Sequence, residues 1–380
     1  MMRPHRRNVF AFFVTLSVTA AIGVGSCLAA ETSQGLSPAE VAYLKNQIAS
    51  HTGETRFTPP GPAIDPSALK GKLIFTIPLS TADPWCQVVD KQMEEFSSRL
   101  GLRFEVWQNT GQLAQWVQGF DTAINHKADL INVVCGLNPA TVAPQIQAAK
   151  NHGIPVVAGH TYAIGQPTLP DLSGIVYGAY IEAAKLEIDW VILQTNGKAN
   201  VLVITSPSTA NSPYIQKTIE AEFAQHCGGC KARYVGVNVS DWGTKIEPQV
   251  RSAIIADKDL NYIVPIYDSM AQFVVPAIIA TGASNRVKVA SFNALPAMLD
   301  MVRTTDIYTF DVGEDTGWLA GAILDQDMRL LLKKPLIPEY AADVRIFTKD
   351  NVKEAGIPAK YGQGFGSSAV SGYEKLWGLK

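Results

Sequence analysis

The sequence predicts an α/β protein of two doubly wound, parallel-sheet lobes joined by a multi-strand hinge. Three observations predict it. Short β-branched runs alternate with segments of helical length from Gly71 onward. The runs outnumber the strands of one comfortable open sheet, and a chain of 380 residues is long for a single domain. Strands that alternate with helices pair in parallel, because each crossover lays a helix on a sheet face.

The first residues precede this alternation. Arg3, Arg6 and Arg7 stand before an uncharged run from Val9 to Ala30, the pattern of a secretory signal over residues 1–30. The small residues Ser26, Ala29 and Ala30 gather where a signal peptidase would cut. Cleavage there releases a soluble protein into the periplasm. The stretch VGSC ending at Cys27 also resembles a lipobox, which would leave a lipid-anchored form. Downstream there is no apolar run long enough to span a bilayer. Residues 31–70 read as an extension or linker, with a short helix at Pro38 to Ser50 followed by the proline-rich TPPGPAIDP.

Thereafter KLIFTIPL reads as a strand, and Trp85, Val89, Gln92, Met93 and Phe96 recur at helical spacing behind it. RFEVW is the next strand, and Leu113, Trp116, Val117, Phe120 and Ile124 form one helix face. DLINVV, IPVVAG, GIVYG, NVLVIT, RYVGVNV, NYIVPIY, VKVASF and IYTFDV continue the series. Alternation places residues 71–172 and 312–339 in a first lobe and residues 174–310 and 342–347 in a second, with a tail over 348–380. The crossings between lobes are expected near Ser173, Asp311 and Tyr340.

Composition bounds the function. With 47% hydrophobic residues, 17% charged residues and a net charge of -2, the chain is that of an ordinary globular protein. Without clustered Lys and Arg it is not a nucleic-acid binder. Cys227 and Cys230 in CGGC follow a helical pattern and precede a strand, the reverse of a thioredoxin-type site, so they read as a small disulfide-closed turn. Cys86 and Cys135 are paired or free. No metal-ligand spacing, Walker loop, nucleophile elbow or H-E-x-x-H helix is present, so neither a metal, a cofactor nor a catalytic residue is expected.

In open parallel sheets, ligands bind beyond the carboxyl ends of the strands. Those ends carry Asp83 and Trp85 in STADPW, His160 in AGHTY, Asn211 and Tyr214 in SPSTANSPY, then Asp268, Asn293 and Asp311. Carboxylates accept hydroxyl hydrogens, Asn donates and accepts, and Trp85 can cover the C–H face of a ring. Each has a plainer reading as well: Asp83 before Pro84 as a helix cap, Asp268 and Asn293 as caps, Trp85 as core, His160 as a satisfied loop residue. Three carboxylates disfavour an anionic ligand and suit a neutral polyol, a sugar or a cation.

TADPW, IPVVAGH, YDSMA, VASFN, YTFDVGEDTGWLAG and the closing IFTKDNV, in that order, resemble the type I periplasmic binding proteins of the ribose and galactose group, over roughly Lys72 to Asn351. The resemblance implies a monomeric receptor that closes on a sugar or polyol and delivers it to an ABC transporter permease. It also implies ligand contacts at Asp83, Trp85, His160, Asn211, Tyr214, Asp268, Asn293 and Asp311. His160 stands where the family usually has Asp, Asn293 replaces another Asp, and Thr161 and the Asn211–Tyr214 region stand where arginines are common. Without those planar forks of donors, ribose itself is not expected. A receptor that reports to a membrane kinase or chemoreceptor, and an exported enzyme, are the alternatives.

Overall fold

The computed structural model describes residues Gly35 to Leu379; the signal reading and Cys27 lie outside the described residues. Two sheets organise the chain. The first contains β1 (Leu73–Pro78), β2 (Arg103–Val106), β3 (Leu130–Val134), β4 (Val156–Ala163) and β5 (Gly174–Gly178), in the order β2-β1-β3-β4-β5 with every pair parallel. The second contains β6 (Asn200–Thr205), β7 (Lys231–Gly236), β8 (Tyr262–Pro265), β9 (Lys288–Phe292), β10 (Tyr308–Glu314) and β11 (Val344–Phe347), in the order β11-β10-β9-β8-β6-β7. Only β11 runs antiparallel, against β10. Strands β1, β3 and β4 are buried along their whole length, which follows when helices cover both faces of a parallel sheet.

The covering helices are α1 (Pro38–Ser50), α2 (Pro84–Leu100), α3 (Leu113–Asn125), α4 (Ala143–Asn151), α5 (Tyr180–Gln194), α6 (Ser212–His226), α7 (Trp242–Ala256), α8 (Asp268–Ala280), α9 (Pro296–Thr304), α10 (Thr316–Leu331) and α11 (Ser368–Leu376). Local chemistry sets their ends. Helix α2 starts with Asp83 capping the Trp85 N–H and Pro84 in its first turn, and it stops at Gly101 in the left-handed conformation.

Two expected crossings lie elsewhere. Strand β5 pairs with β4, Val157 opposite Gly174 and Ala158 opposite Ile175, so residues 174–178 belong to the first sheet rather than opening the second lobe. The chain crosses only between Gly178 and α5, which packs on α6 and β10. A five-residue run such as GIVYG pairs equally well with either sheet, and periodicity carries no information about the partner. Likewise β10 continues through Glu314 in the second sheet, and the crossing follows it, with α10 packing on α2 and β5 of the first lobe. Near Tyr340 the chain passes the end of β5, where the Tyr177 N–H donates to the Tyr340 carbonyl at 2.7 Å, and then enters β11.

Residues 35–70 are no free linker. Helix α1 lies on α5 with Leu44 and Ile48 buried. The Ile346 N–H donates to the His51 carbonyl at 2.7 Å and Arg345 Nε to the Thr52 carbonyl at 3.0 Å, holding this end to the second lobe. A few residues on, the Phe57 ring meets Trp318 and Tyr373, Arg329 donates to the Pro62 carbonyl at 2.9 Å, and Ile64 and Leu69 are buried against the first lobe. The tail returns the same way, α11 packing on α10 so closely that a Cβ on Gly321 would stand 2.2 Å from the Tyr373 ring. Cys227 and Cys230 form a disulfide that closes the turn between α6 and β7. Cys86 and Cys135 are free and buried.

Candidate functional site

The carboxyl ends of both sheets face each other, and side chains of the two lobes meet there. Ser269, in the first turn of α8, donates to Asp83 Oδ1 at 2.7 Å across the cleft. Gln166, after β4, donates to the Ala210 carbonyl at 2.8 Å. Leu137, after β3, forms a bridge with Thr209, after β6.

On the first lobe, Asp83 is held by the Trp85 N–H at 3.2 Å and by Ser269, and desolvation moves its carboxyl above the usual range despite those bonds. Trp85 is buried, its indole N–H has no partner, and its ring lies 5.6 Å from that of His160. His160 takes a left-handed φ of 49° where the β4–β5 register shifts. Such a backbone in a non-glycine residue is uncommon and re-aims the side chain. Its Nε2 pairs with Glu314 and its Nδ1 lies 2.9 Å from the Tyr180 hydroxyl. Both ring nitrogens are therefore engaged, and His160 offers a ligand its ring face rather than a hydrogen bond. Glu314 also accepts from the Ala179 N–H at 2.7 Å, so one carboxylate ties β4, the crossing after β5 and the end of β10. Close approach here requires Gly178, since a Cβ on it would fall 2.4 Å from the Tyr180 ring.

On the second lobe, Asn211 stands at the start of α6, buried, its Oδ1 accepting from the Tyr267 hydroxyl at 2.5 Å and its Nδ2 unpartnered. Tyr267 also shares a hydrogen bond with Thr209 at 3.1 Å. Asp268 opens α8; its Oδ2 accepts from the Leu295 N–H at 2.6 Å, and its Oδ1 has no hydrogen-bond donor. Asp311 accepts from the Ala294 N–H at 3.2 Å and the Tyr308 hydroxyl at 3.0 Å. Between these carboxylates the loop after β9 carries Asn293 at φ 135° and Ala294 at φ 57°, a backbone that persists only because its surroundings fix it. Asn293 Nδ2 is buried and unpartnered. Burial, then the charge of Asp311, raises Asp268 well above the carboxylate range; burial likewise raises Asp311, with Glu187 of α5 adding to it.

Seven of the eight candidates thus line the facing strand ends. The eighth, Tyr214, sits half-buried in the first turn of α6 and makes no hydrogen bond through its hydroxyl and no ring contact with the others among the described residues. Sequence reasoning missed Glu314, Tyr180, Tyr267, Ser269 and Glu187. Tyr267 and Ser269 flank Asp268 and were within reach of the strand-end rule. Glu187 lies mid-helix and gives no such signal.

Two α/β lobes with a polar, aromatic-lined cleft between them define a two-lobed binding protein. The model of the periplasmic binding protein domain family matches residues 74–335, and the chain belongs to that family, one of solute-binding receptors rather than of enzymes. The fold is similar to an ABC transporter solute binding protein from Agrobacterium vitis with bound allitol, at TM-score 0.66 and 18% identity over 76% of this chain and 98% of that one. It is similar to the Caulobacter myo-inositol binding protein bound to myo-inositol, at TM-score 0.66 and 17% identity over 75% and 96%. A 5-methylthioribose transporter solute binding protein from Thermotoga lettingae aligns at TM-score 0.69 and 16% identity over 83% and 100%. No curated protein matches the sequence. No described helix is long and apolar enough to cross a membrane.

Proposed function

We propose that the protein is an exported, monomeric receptor that closes its two lobes on a sugar or polyol and presents it to an ABC transporter permease, with no chemical step and no cofactor. The observation that carries this reading is the set of buried polar atoms without partners at the facing strand ends. Trp85 Nε1, Asn211 Nδ2 and Asn293 Nδ2 are donors in need of acceptors, and Asp268 Oδ1 is an acceptor in need of a donor. Orphaned groups of this kind are costly unless something pairs with them. A polyhydroxyl ligand answers both kinds, because each hydroxyl donates once and accepts twice. The aromatic series Trp85, His160, Tyr180 and Phe292, with neighbouring centroids 4.7–5.8 Å apart, gives its C–H faces an apolar wall.

A ligand that touches both lobes favours the closed state by its differential affinity for that state. Asp83, Trp85 and the ring of His160 would be its first-lobe contacts, and Asn211, Asp268 and Asn293 its second-lobe contacts. Asp311 shapes the loop that presents Asn293, and Tyr214 would stand at the rim. The hinge is formed by the crossings at residues 178–180, 314–316 and 340–344.

A thermal-shift screen against sugars and polyols, including allitol, myo-inositol and D-allose, tests the reading, since a ligand of the folded state raises its melting temperature. At least one compound is expected to raise Tm with saturation. Silence across the panel would overturn the assignment of ligand class.

A further inference from the structure

We infer that the ligand carries a protonated amine alongside its hydroxyls, an amino-polyol, amino-sugar or aminocyclitol, with the ammonium seated between Asp83 of the first lobe and Asp268 of the second. This rests on the receptor reading above and specifies its substrate class.

Ser269 joins the two carboxylates in space, because it donates to Asp83 Oδ1 at 2.7 Å while following Asp268 directly in the first turn of α8. Each still has room for a donor. Asp83 Oδ2 receives only the Cys86 thiol at 3.6 Å, and Asp268 Oδ1 receives no N–H or hydroxyl donor, its carboxyl meeting that of Asp311 with which it can share a proton. Behind them lie Asp311 and Glu187, both buried, and Glu187 Oε1 is also without a donor. Among the described residues no lysine or arginine pairs with any of these four carboxyls. His160, the nearest base, is already engaged by Glu314.

Four buried carboxyls with no cation among them form an unbalanced site, and Coulomb repulsion and desolvation both oppose their ionisation. The shifts follow that logic: Asp83, Asp268, Asp311 and Glu187 are all raised, burial first in each case. An ammonium has three donors on a compact positive charge and can bridge two carboxylates from opposite lobes. The unpartnered amides of Asn211 and Asn293 and the Trp85 indole supply donors, not acceptors. They suit hydroxyl oxygens on the rest of the ligand rather than a second cation, which separates an amino-polyol from a simple polyamine.

The test uses three matched pairs by isothermal titration at pH 7: D-glucosamine with D-glucose, D-glucamine with D-glucitol, and scyllo-inosamine with scyllo-inositol. In at least one pair the amine is expected to bind about tenfold or more tightly than its neutral partner, as one charge-assisted bond in a desolvated site implies. Its binding should release protons, seen as a difference in apparent heat between phosphate and HEPES buffers. Asp268→Asn should cut the preference for the amine, read as the ratio of the two affinities within a pair, to about threefold or less, and a preference that stays at about tenfold overturns the inference. A neutral member that binds as tightly as its amine overturns the inference and leaves the receptor reading standing. Silence of all six compounds also overturns it, because the pairs span ring, open-chain and cyclitol frames; the sugar and polyol screen then decides separately whether the receptor reading survives.

Discussion

Glu314 is where three parts of the hinge meet, and its removal has a calculable cost. The side chain is fully buried, accepts from the Ala179 N–H at 2.7 Å and pairs with His160 Nε2. Hydrogen bonds to a charged group contribute about 1.5–3 kcal/mol each, so losing both removes about 3–6 kcal/mol and strands the His160 ring and the Ala179 N–H. The cavity left by truncation adds about 1 kcal/mol. Glu314→Ala should therefore lower the unfolding free energy by about 4–7 kcal/mol. Glu314→Gln keeps the shape, one acceptor and one donor, and should lose only about 1–2 kcal/mol. Urea denaturation followed by tryptophan fluorescence measures both. A loss under about 1 kcal/mol for the alanine variant, or equal losses for the two, would refute the hinge role, since the carboxylate would then not be what holds these strands.

Three further outcomes follow from the same packing. Asp90 on α2 is buried with neither carboxyl oxygen partnered, and burial, helped by Glu94, raises it to about 8. The folded state then holds a proton that the unfolded state gives up near pH 4, so stability falls as pH rises through the window from about 4 to about 8; Asp90→Asn should remove part of the loss seen between pH 6 and pH 9 in urea melts. Tyr267→Phe withdraws the donor from Asn211 Oδ1 and should cost about 2–3 kcal/mol on denaturation while weakening ligand binding, because the Asn211 amide is no longer fixed. Replacing Cys227 and Cys230 by Ser opens a short loop far from the cleft, which the loop-closure relation values at about 2 kcal/mol; the expected result is a lower Tm with unchanged ligand affinity.

Much of this architecture was legible because β-branched runs and apolar helical spacings are local signals. The strand-end rule pointed without coordinates to Asp83, Trp85, His160, Asn211, Asp268 and Asn293, which the fold gathers at the facing strand ends, and the cap reading of Asp83 is part of its chemistry rather than an alternative to a place in the cleft. Asp83 caps α2 and also reaches the other lobe. What the sequence hid was non-local. Sheet membership of GIVYG depends on which neighbour is free to pair, and the engagement of His160 depends on Glu314, 154 residues away. Residues 31–70 read as an extension or linker; the helix within them was legible, but the docking of the proline-rich part was not, because its prolines signal turns and its contacts are isolated ones, the Phe57 ring on Trp318 and Tyr373 and the Ile64 N–H on the Leu376 carbonyl.

Hydrogen–deuterium exchange with and without a saturating ligand from the screen tests the central claim most directly. One site built from both lobes predicts slower exchange, on ligand addition, at residues 81–86 and 160–163 of the first lobe and at 206–212, 267–270 and 293–296 of the second. Protection confined to one lobe, or centred on the separate cavity of about 630 Å³ beside Trp190 and Tyr262, would contradict it.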